Sequence, residues 1–314
     1  MSDPHPPTSP VSESFQESLK TYLELAKSGI VALVLISVLG GYLSGHPLER
    51  PLSLGHLGAT LLGILLLSAG SSALNQLQER GLDATMPRTS KRPLPSGRLS
   101  LIEVRFFVVS CLAGGMTILW RLDPRLAGLG VLAVLSYNGL YTLWWKRKLP
   151  FAAVPGAIPG ALPIWMGHLA SSGELFAPGG LYLFAILFFW QMPHFWSLAL
   201  RFSEDYAQGG IPTLPVAGGT GITLRQIVHW CLAYCAIALG APLFFKVGPL
   251  YLLLALGGAA WVLAELWRFV REPAESAGKG WLRFFLAVNF SLILFVGAIV
   301  IDLWSIYLRA FITR

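Results

Sequence analysis

Apolar residues run along this chain in long blocks, and short polar stretches interrupt the blocks at intervals. Nine blocks, at about 27–44, 55–75, 101–120, 126–143, 152–170, 178–200, 226–245, 249–268 and 283–306, are long enough to cross the roughly 30 Å hydrocarbon layer of a bilayer as helices. The pattern predicts an all-α integral membrane protein of about nine transmembrane helices. Its helices group as two four-helix blocks plus one, around a central cavity that opens to the cytoplasmic side. The fifth block is broken by Pro155-Gly156, Pro159-Gly160 and Pro163. These are poor helix formers but good cavity lining, because small residues let another helix or a flat ligand approach the backbone closely. Residues 1–20 are rich in Pro, Ser and acidic residues and have no apolar core. They predict a disordered cytoplasmic tail ahead of a polytopic domain at 21–314.

Composition strengthens the membrane reading. Of 314 residues 54% are hydrophobic and 12% charged, and mean hydropathy is +0.62. Soluble domains carry about 25% charged residues. A net charge of +7 would suggest nucleic acid in a soluble chain. Its placement says otherwise: with the N-terminus cytoplasmic, seventeen of the 23 basic residues fall on the inner side and six on the other. That asymmetry predicts a cytoplasmic N-terminus, a periplasmic C-terminus and an odd number of spans, with no nucleic-acid partner. The N-terminus resembles neither a secretory signal nor an Arg-rich transit peptide, which points to a bacterial inner membrane. Cys111, Cys231 and Cys235 all lie inside apolar blocks and read as packing. Glu265 and Asp302 lie near block ends, where interfacial solvation accounts for them.

The most informative polar stretch follows the second block. Asn75, Glu79 and Asp83 stand four residues apart, so on a helix they share one face. Two carboxylates and a carboxamide on one stripe suit a hard cation such as Mg²⁺, which takes oxygen ligands and shares them with substrate phosphates. The Arg/Lys run through Arg88, Lys91, Arg92 and Arg98 supplies groups able to complete a diphosphate site. Lys27 opens the first block, and Tyr137-Asn138-Gly-Leu-Tyr141-Thr142 ends the fourth, with Lys146-Arg147-Lys148 directly after.

A second polar stripe closes the sixth block. Gln191, His194, Leu198, Arg201 and Asp205 follow the spacing of one helix face. Polar groups at membrane depth are costly and normally face a cavity or partner. Pro193 is expected to open the helix locally and free carbonyl groups there. The two acidic regions echo each other: Asp83 precedes Pro93 by ten residues, and Asp205 precedes Pro215 by ten. Each closes the second helix of a four-helix block. The echo predicts a parallel internal duplication, roughly 21–145 and 146–270, with both acidic ends at one cytoplasmic mouth.

The run from Asn75 to Gly97, Asn-x3-Glu-x3-Asp-x2-Met-x-Arg-Thr-x2-Arg-Pro-Leu-x2-Gly, resembles the first motif of the protoheme IX farnesyltransferase (heme O synthase) family of UbiA-type intramembrane prenyltransferases. Tyr141-Thr142 with Lys146-Arg147 is similar to that family's later signatures. So is Gln191-Met-Pro-His194-Phe with Asp205-Tyr206 and Ile211-Pro212-x-Leu-Pro215. The resemblance covers roughly residues 20–310. Glu79 stands where the family often has Asp, which keeps the charge and lengthens the reach. Phe151-Ala152 stands where many members have Asn after the basic loop.

The resemblance implies transfer of a farnesyl group from farnesyl diphosphate to a vinyl group of heme b, with addition of water. It implies Mg²⁺ as cofactor on Asn75, Glu79, Asp83 and Asp205, and diphosphate contacts from Lys27, Arg88, Arg92, Lys146 and Arg147. Tyr141, Trp190, Gln191, Phe195, Trp196 and Arg201 are the implied substrate contacts. Three roles are open for His194: iron ligand, proton transfer, or orientation of Asp205. The partners implied are heme b, farnesyl diphosphate, membrane lipid, and a heme A synthase or terminal-oxidase assembly machinery. Rival readings are a UbiA-type enzyme with a quinone precursor or other ring as acceptor, and a heme-binding transporter or assembly factor. A transporter predicts polar residues spread through the midplane; here the charged groups crowd one side.

Overall fold

Helix boundaries follow the polar punctuation between the apolar blocks. The computed structural model describes residues 10–87, 89–271 and 277–312, which contain helices and turns and no strand. The order is α1 (Pro10–Leu25), α2 (Ser28–Gly45), α3 (Leu54–Thr85), α4 (Leu101–Leu122) and α5 (Pro124–Val134). A π-helical stretch, Leu135–Trp145, continues α5 and ends in the single turn α6 (Lys146–Lys148). Then come α7 (Ala153–Ser172), α8 (Pro178–Arg201), α9 (Ser203–Gln208), α10 (Leu214–Leu239), α11 (Pro249–Arg271) and α12 (Ala277–Ile312). Local chemistry sets several starts. Ser100 and Glu103 form a reciprocal capping box on α4, with each side chain bonded to the other's backbone N–H. Asp123 caps α5 ahead of Pro124, whose missing N–H costs nothing in the first turn.

Among the described residues eight helical segments are long and apolar enough to cross a membrane. They match the expected blocks except the fifth. That block forms the 20-residue helix α7, which contains Pro159 and Pro163. Its prolines and glycines lower its apolarity but let it serve as the spine of the bundle. Ala157, Ala161 and Ile164 pack into one core with Trp196, Tyr234, Tyr251 and Phe295 of the second half. Leu162, Met166 and Leu169 pack into the other core, with Leu67, Leu119 and Leu126 of the first half.

Contact between α2 and α7 is reciprocal. A Cβ on Gly41 would collide with the carbonyl oxygen of Ile164, and one on Gly167 with that of Val38. Each glycine thus meets the carbonyl three residues before the other, as two equivalent parallel helices do when a twofold axis relates them. Only glycine permits backbones this close.

Four expectations are corrected. Residues 10–20, read as part of a disordered tail, lie in α1. Tyr22 and Leu25 pack against Leu99, Val104 and Phe107, so this helix has an apolar face to bury. Residues 1–9 lie outside the described residues. Pro193 does not open α8, which continues through it to Arg201. Glu265 and Asp302 are buried rather than solvated. Glu265 pairs with Arg268 and Arg283, and Asp302 accepts the backbone N–H of Gly248, because α11 and α12 lie side by side. Finally, the second polar stripe is broken at Phe202, where the chain leaves helical geometry (φ −114°, ψ 28°), so Asp205 lies on the separate helix α9.

Candidate active site

Helix α3 is 32 residues long, so its last turns run on past the apolar part of the bundle and carry Asn75, Glu79 and Asp83 on one face. All three are buried, at 3%, 3% and 1% exposure. Buried carboxylates need partners, and each residue of the stripe has its own cation from a different part of the chain. Lys27 Nζ donates to Asn75 Oδ1 at 2.7 Å. Lys146 Nζ donates to Glu79 Oε1 at 2.7 Å. Arg92 Nη1 reaches both oxygens of Asp83 at 2.7 Å. Three acceptors and three cations therefore alternate along about two turns of helix.

Local structure brings each cation there. Lys27 sits between α1 and α2 with φ 54°, the only positive φ outside glycine among the described residues. That kink turns the chain between the helices, and Gln76 of α3 holds it by donating to the carbonyls of Glu24 and Leu25. Burial pulls the Lys27 ammonium down to about 8. That value already includes the positive charges of Arg92 and Lys146, which also lower it, and the carboxylates of Glu79 and Asp83, which oppose the drop. Arg92 comes from the turn after α3, where Thr89 donates to the carbonyl of Asp83 at 2.9 Å and folds the loop back over the helix end. Lys146 lies at the end of the π-helical stretch.

That stretch is fastened to α3 by polar groups the sequence reading left unassigned. Asn138 Nδ2 donates to the carbonyl of Ser71 at 2.9 Å, its Oδ1 accepts from the Ser71 hydroxyl, and Gln78 Nε2 donates to the carbonyl of Asn138 at 3.1 Å. One turn further on, Asn75 Nδ2 donates to Thr142 Oγ1 at 3.1 Å, and Thr142 Oγ1 donates to the carbonyl of Tyr137, five residues back, at 2.8 Å. A threonine four residues before Lys146 at membrane depth was the available signal. Between these ties Tyr137 and Tyr141 stack with ring centroids 6.0 Å apart. Tyr137 stands within electrostatic reach of Glu79, Arg92 and Asp83, and Tyr141 within reach of Glu79 and Tyr206. Gly156 of α7 leaves room for the Tyr141 ring, which a Cβ there would strike.

The second half contributes less directly. Asp205, in the first turn of α9, is partly exposed. The α9 end nevertheless meets the α3 end: a Cβ on Gly209 would lie 2.9 Å from Met86 Sδ. Gln191 Nε2 donates to the carbonyls of Ala157 and Leu187, and its carboxamide fills the space left by Gly160. His194 lies between Trp190 and Phe285, at centroid distances of 4.8 and 5.0 Å, and its Nδ1 is buried without a hydrogen-bond partner. Trp190 donates to the carbonyl of Val288. Phe195 packs against the core, and Trp196 lies wholly within it, edge-on to Phe151 and Trp230. Arg201 is exposed and lies over Trp281, and Arg147 is exposed. Neither joins the stripe. Arg88 lies outside the described residues. A cavity of about 300 Å³ opens at the same end, lined by Arg80, Gly81, Leu94, Pro95, Leu99 and Leu101. None of these belongs to the stripe.

No three His, Cys, Asp or Glu side chains among the described residues converge on one point. Mg²⁺, however, takes one or two carboxylates and completes its shell with water and substrate phosphates. The buried oxygen donors of the stripe fit a metal that arrives with its diphosphate.

Residues 34–306 match the UbiA prenyltransferase family. The chain is 44% identical over 287 residues to a protoheme IX farnesyltransferase of Bdellovibrio bacteriovorus, covering 91% of this chain and 97% of that protein. To the protoheme IX farnesyltransferase of Aquifex aeolicus it is 37% identical over 292 residues, 93% and 98% of the two chains. Its fold resembles that of a digeranylgeranylglyceryl phosphate synthase, with a TM-score of 0.74 at 19% identity over 90% of this chain and 99% of the other. It also resembles a UbiA homolog from Archaeoglobus fulgidus solved with GPP and Mg²⁺, with a TM-score of 0.63 at 19% identity over 89% and 99%. Sequence, fold and the buried acid–base stripe agree: the chain belongs to the UbiA prenyltransferase family.

Proposed function

We propose that this protein transfers the farnesyl group of farnesyl diphosphate to a vinyl group of protoheme IX (heme b), with addition of water, giving heme O. Relatives carrying that activity in their names match nine-tenths of the chain. The observation that carries the reading is the set of three pairs Lys27–Asn75, Lys146–Glu79 and Arg92–Asp83, each with its α3 member buried.

Cleaving the allylic C–O bond leaves a diphosphate with growing negative charge and a delocalised cation. Asn75, Glu79, Asp83 and Asp205 would hold Mg²⁺, which would supply Lewis-acid chemistry to the leaving oxygens. Lys27, Lys146 and Arg92 are preorganised donors for the other phosphate oxygens, in surroundings where charge is poorly screened. Tyr137 and Tyr141 present aromatic faces beside the stripe, which favour a cation and exclude the water that would quench it. The vinyl group attacks the allylic cation as diphosphate departs, and water adds to the resulting cation next to the porphyrin and loses a proton, leaving the hydroxyl. His194, with its unpartnered nitrogen between two aromatic rings, is the heme contact in this reading.

We place the charged end in the cytoplasm of a bacterial inner membrane, with the C-terminus periplasmic, in keeping with the basic-residue asymmetry. The product serves a terminal oxidase or the enzyme that prepares its heme. The test is to incubate purified protein in detergent with heme b, farnesyl diphosphate and Mg²⁺, and to search by mass spectrometry for heme carrying a farnesyl group and one water. Turnover of 4-hydroxybenzoate with none of heme b would move the assignment to a quinone-type acceptor, and absence of any prenylated product would end it.

A further inference from the structure

We propose that Thr142 is a positioning residue that fixes which atom of Asn75 faces the diphosphate site. The inference rests on the proposed function only in taking that site to bind a prenyl diphosphate with a divalent cation.

A carboxamide has one end that accepts and one that donates, and only the oxygen is useful toward a cation or an ammonium. Buried at 3% exposure, Asn75 must have its orientation set by its neighbours. Thr142, wholly buried, has one proton, and it goes to the carbonyl of Tyr137 at 2.8 Å. The hydroxyl oxygen that faces Asn75 is therefore left as an acceptor, and only the amide NH₂ can satisfy it, at 3.1 Å. Oδ1 is thereby turned toward Lys27. Lys27 enforces the same orientation in the free protein, but in the proposed reaction its ammonium is called to the phosphate oxygens. Thr142 is the partner that stays.

The probe is farnesyl S-thiolodiphosphate with Mg²⁺, its binding to the full chain in detergent measured by calorimetry, with thermal unfolding as the control for folding. Thr142→Val keeps the shape and removes the acceptor, so affinity should fall by about fivefold to tenfold, the loss of one neutral hydrogen bond that orients Asn75. Thr142→Ser restores the acceptor and should bind within about twofold of the natural protein. In an Asn75→Asp background both outer atoms are oxygens, so adding Thr142→Val should cost no further affinity. Equal binding by the Thr142→Val variant, or the same loss in Thr142→Ser, overturns the inference while leaving the proposed function in place. An undiminished Thr142→Val penalty on top of Asn75→Asp also overturns it, because the hydroxyl would then act through packing. Should Asn75→Asp alone abolish binding, the contrast between Ser and Val at position 142 decides. Failure of the natural protein to bind the analogue removes the proposed function and this inference together.

Discussion

Arg92→Ala and Asp83→Asn remove opposite halves of one ion pair, and the structure makes their costs unequal. The Asp83 side chain is 1% exposed, whereas that of Arg92 is 26% exposed. Removing the guanidinium strands a carboxylate that has no route to water, a loss on the order of 3–5 kcal/mol for a broken buried pair. Removing the carboxylate's charge leaves an arginine that can turn its head to solvent, and the carboxamide that replaces the acid can still accept one hydrogen bond. That loss should be about 1–2 kcal/mol. At roughly 2 °C per kcal/mol for a chain of this size, Arg92→Ala should unfold about 5 °C below Asp83→Asn. Tryptophan fluorescence during a thermal ramp, in detergent and without Mg²⁺ or substrate, reads the gap. The double variant should recover most of the Arg92→Ala loss, because it no longer holds an unpaired charge. Turnover should be lost in both single variants, so stability and activity report different things. An equal shift in the two, or a larger one for Asp83→Asn, would refute the argument that the acid is the trapped partner. Lys146 and Glu79, at 19% and 3%, should repeat the asymmetry more weakly.

Gly41→Ala should reduce the yield of folded protein sharply, because its Cβ meets the backbone oxygen of Ile164 rather than a movable side chain. Size-exclusion chromatography in detergent measures it, and the loss should be about 1–3 kcal/mol or more, as for overpacking. His194→Ala should weaken heme binding and change the iron spectrum while leaving diphosphate binding intact; an unchanged spectrum would free His194 from the heme contact. Chelation with EDTA should stop farnesyl transfer, with Mg²⁺ restoring it, and transfer that persists without divalent metal would count against the metal role of the stripe.

How much of this was legible in the sequence depends on how local the physical cause is. Crossing a bilayer needs an unbroken apolar length, which is why the blocks map onto the long helices. The stripe is legible for the same reason, since spacing four residues apart fixes one face of one helix. Lys27, Arg92 and Lys146 flank the blocks, and the family resemblance is what marks them as diphosphate contacts. Which acid each one meets depends on three separate loops folding over α3. Asn138 and Thr142 stand out at the end of the fourth block, and Thr142 falls in a family signature, but their roles come from partners on α3, which spacing within one block does not show. In α1 the packed apolar residues are Tyr22 and Leu25, while Phe15, Leu19 and Leu23 stay exposed, so no apolar period along the segment marks the buried face. The second stripe failed for the opposite reason: its spacing was regular, but the helix that would have aligned it ends at Phe202.

The π-helical winding of Leu135–Trp145 has a consequence for reading related sequences. Bonding five residues back takes up roughly one more residue per turn than ordinary α winding. The tether at Asn138 and the ammonium at Lys146 are therefore farther apart in number than in space. A homologue wound conventionally here would need one or two fewer residues to reach the same two anchors. A small gap falling between positions 135 and 145 in an alignment would thus mark a tighter coil with its anchoring intact, and counting residues across it would misplace every functional group that follows.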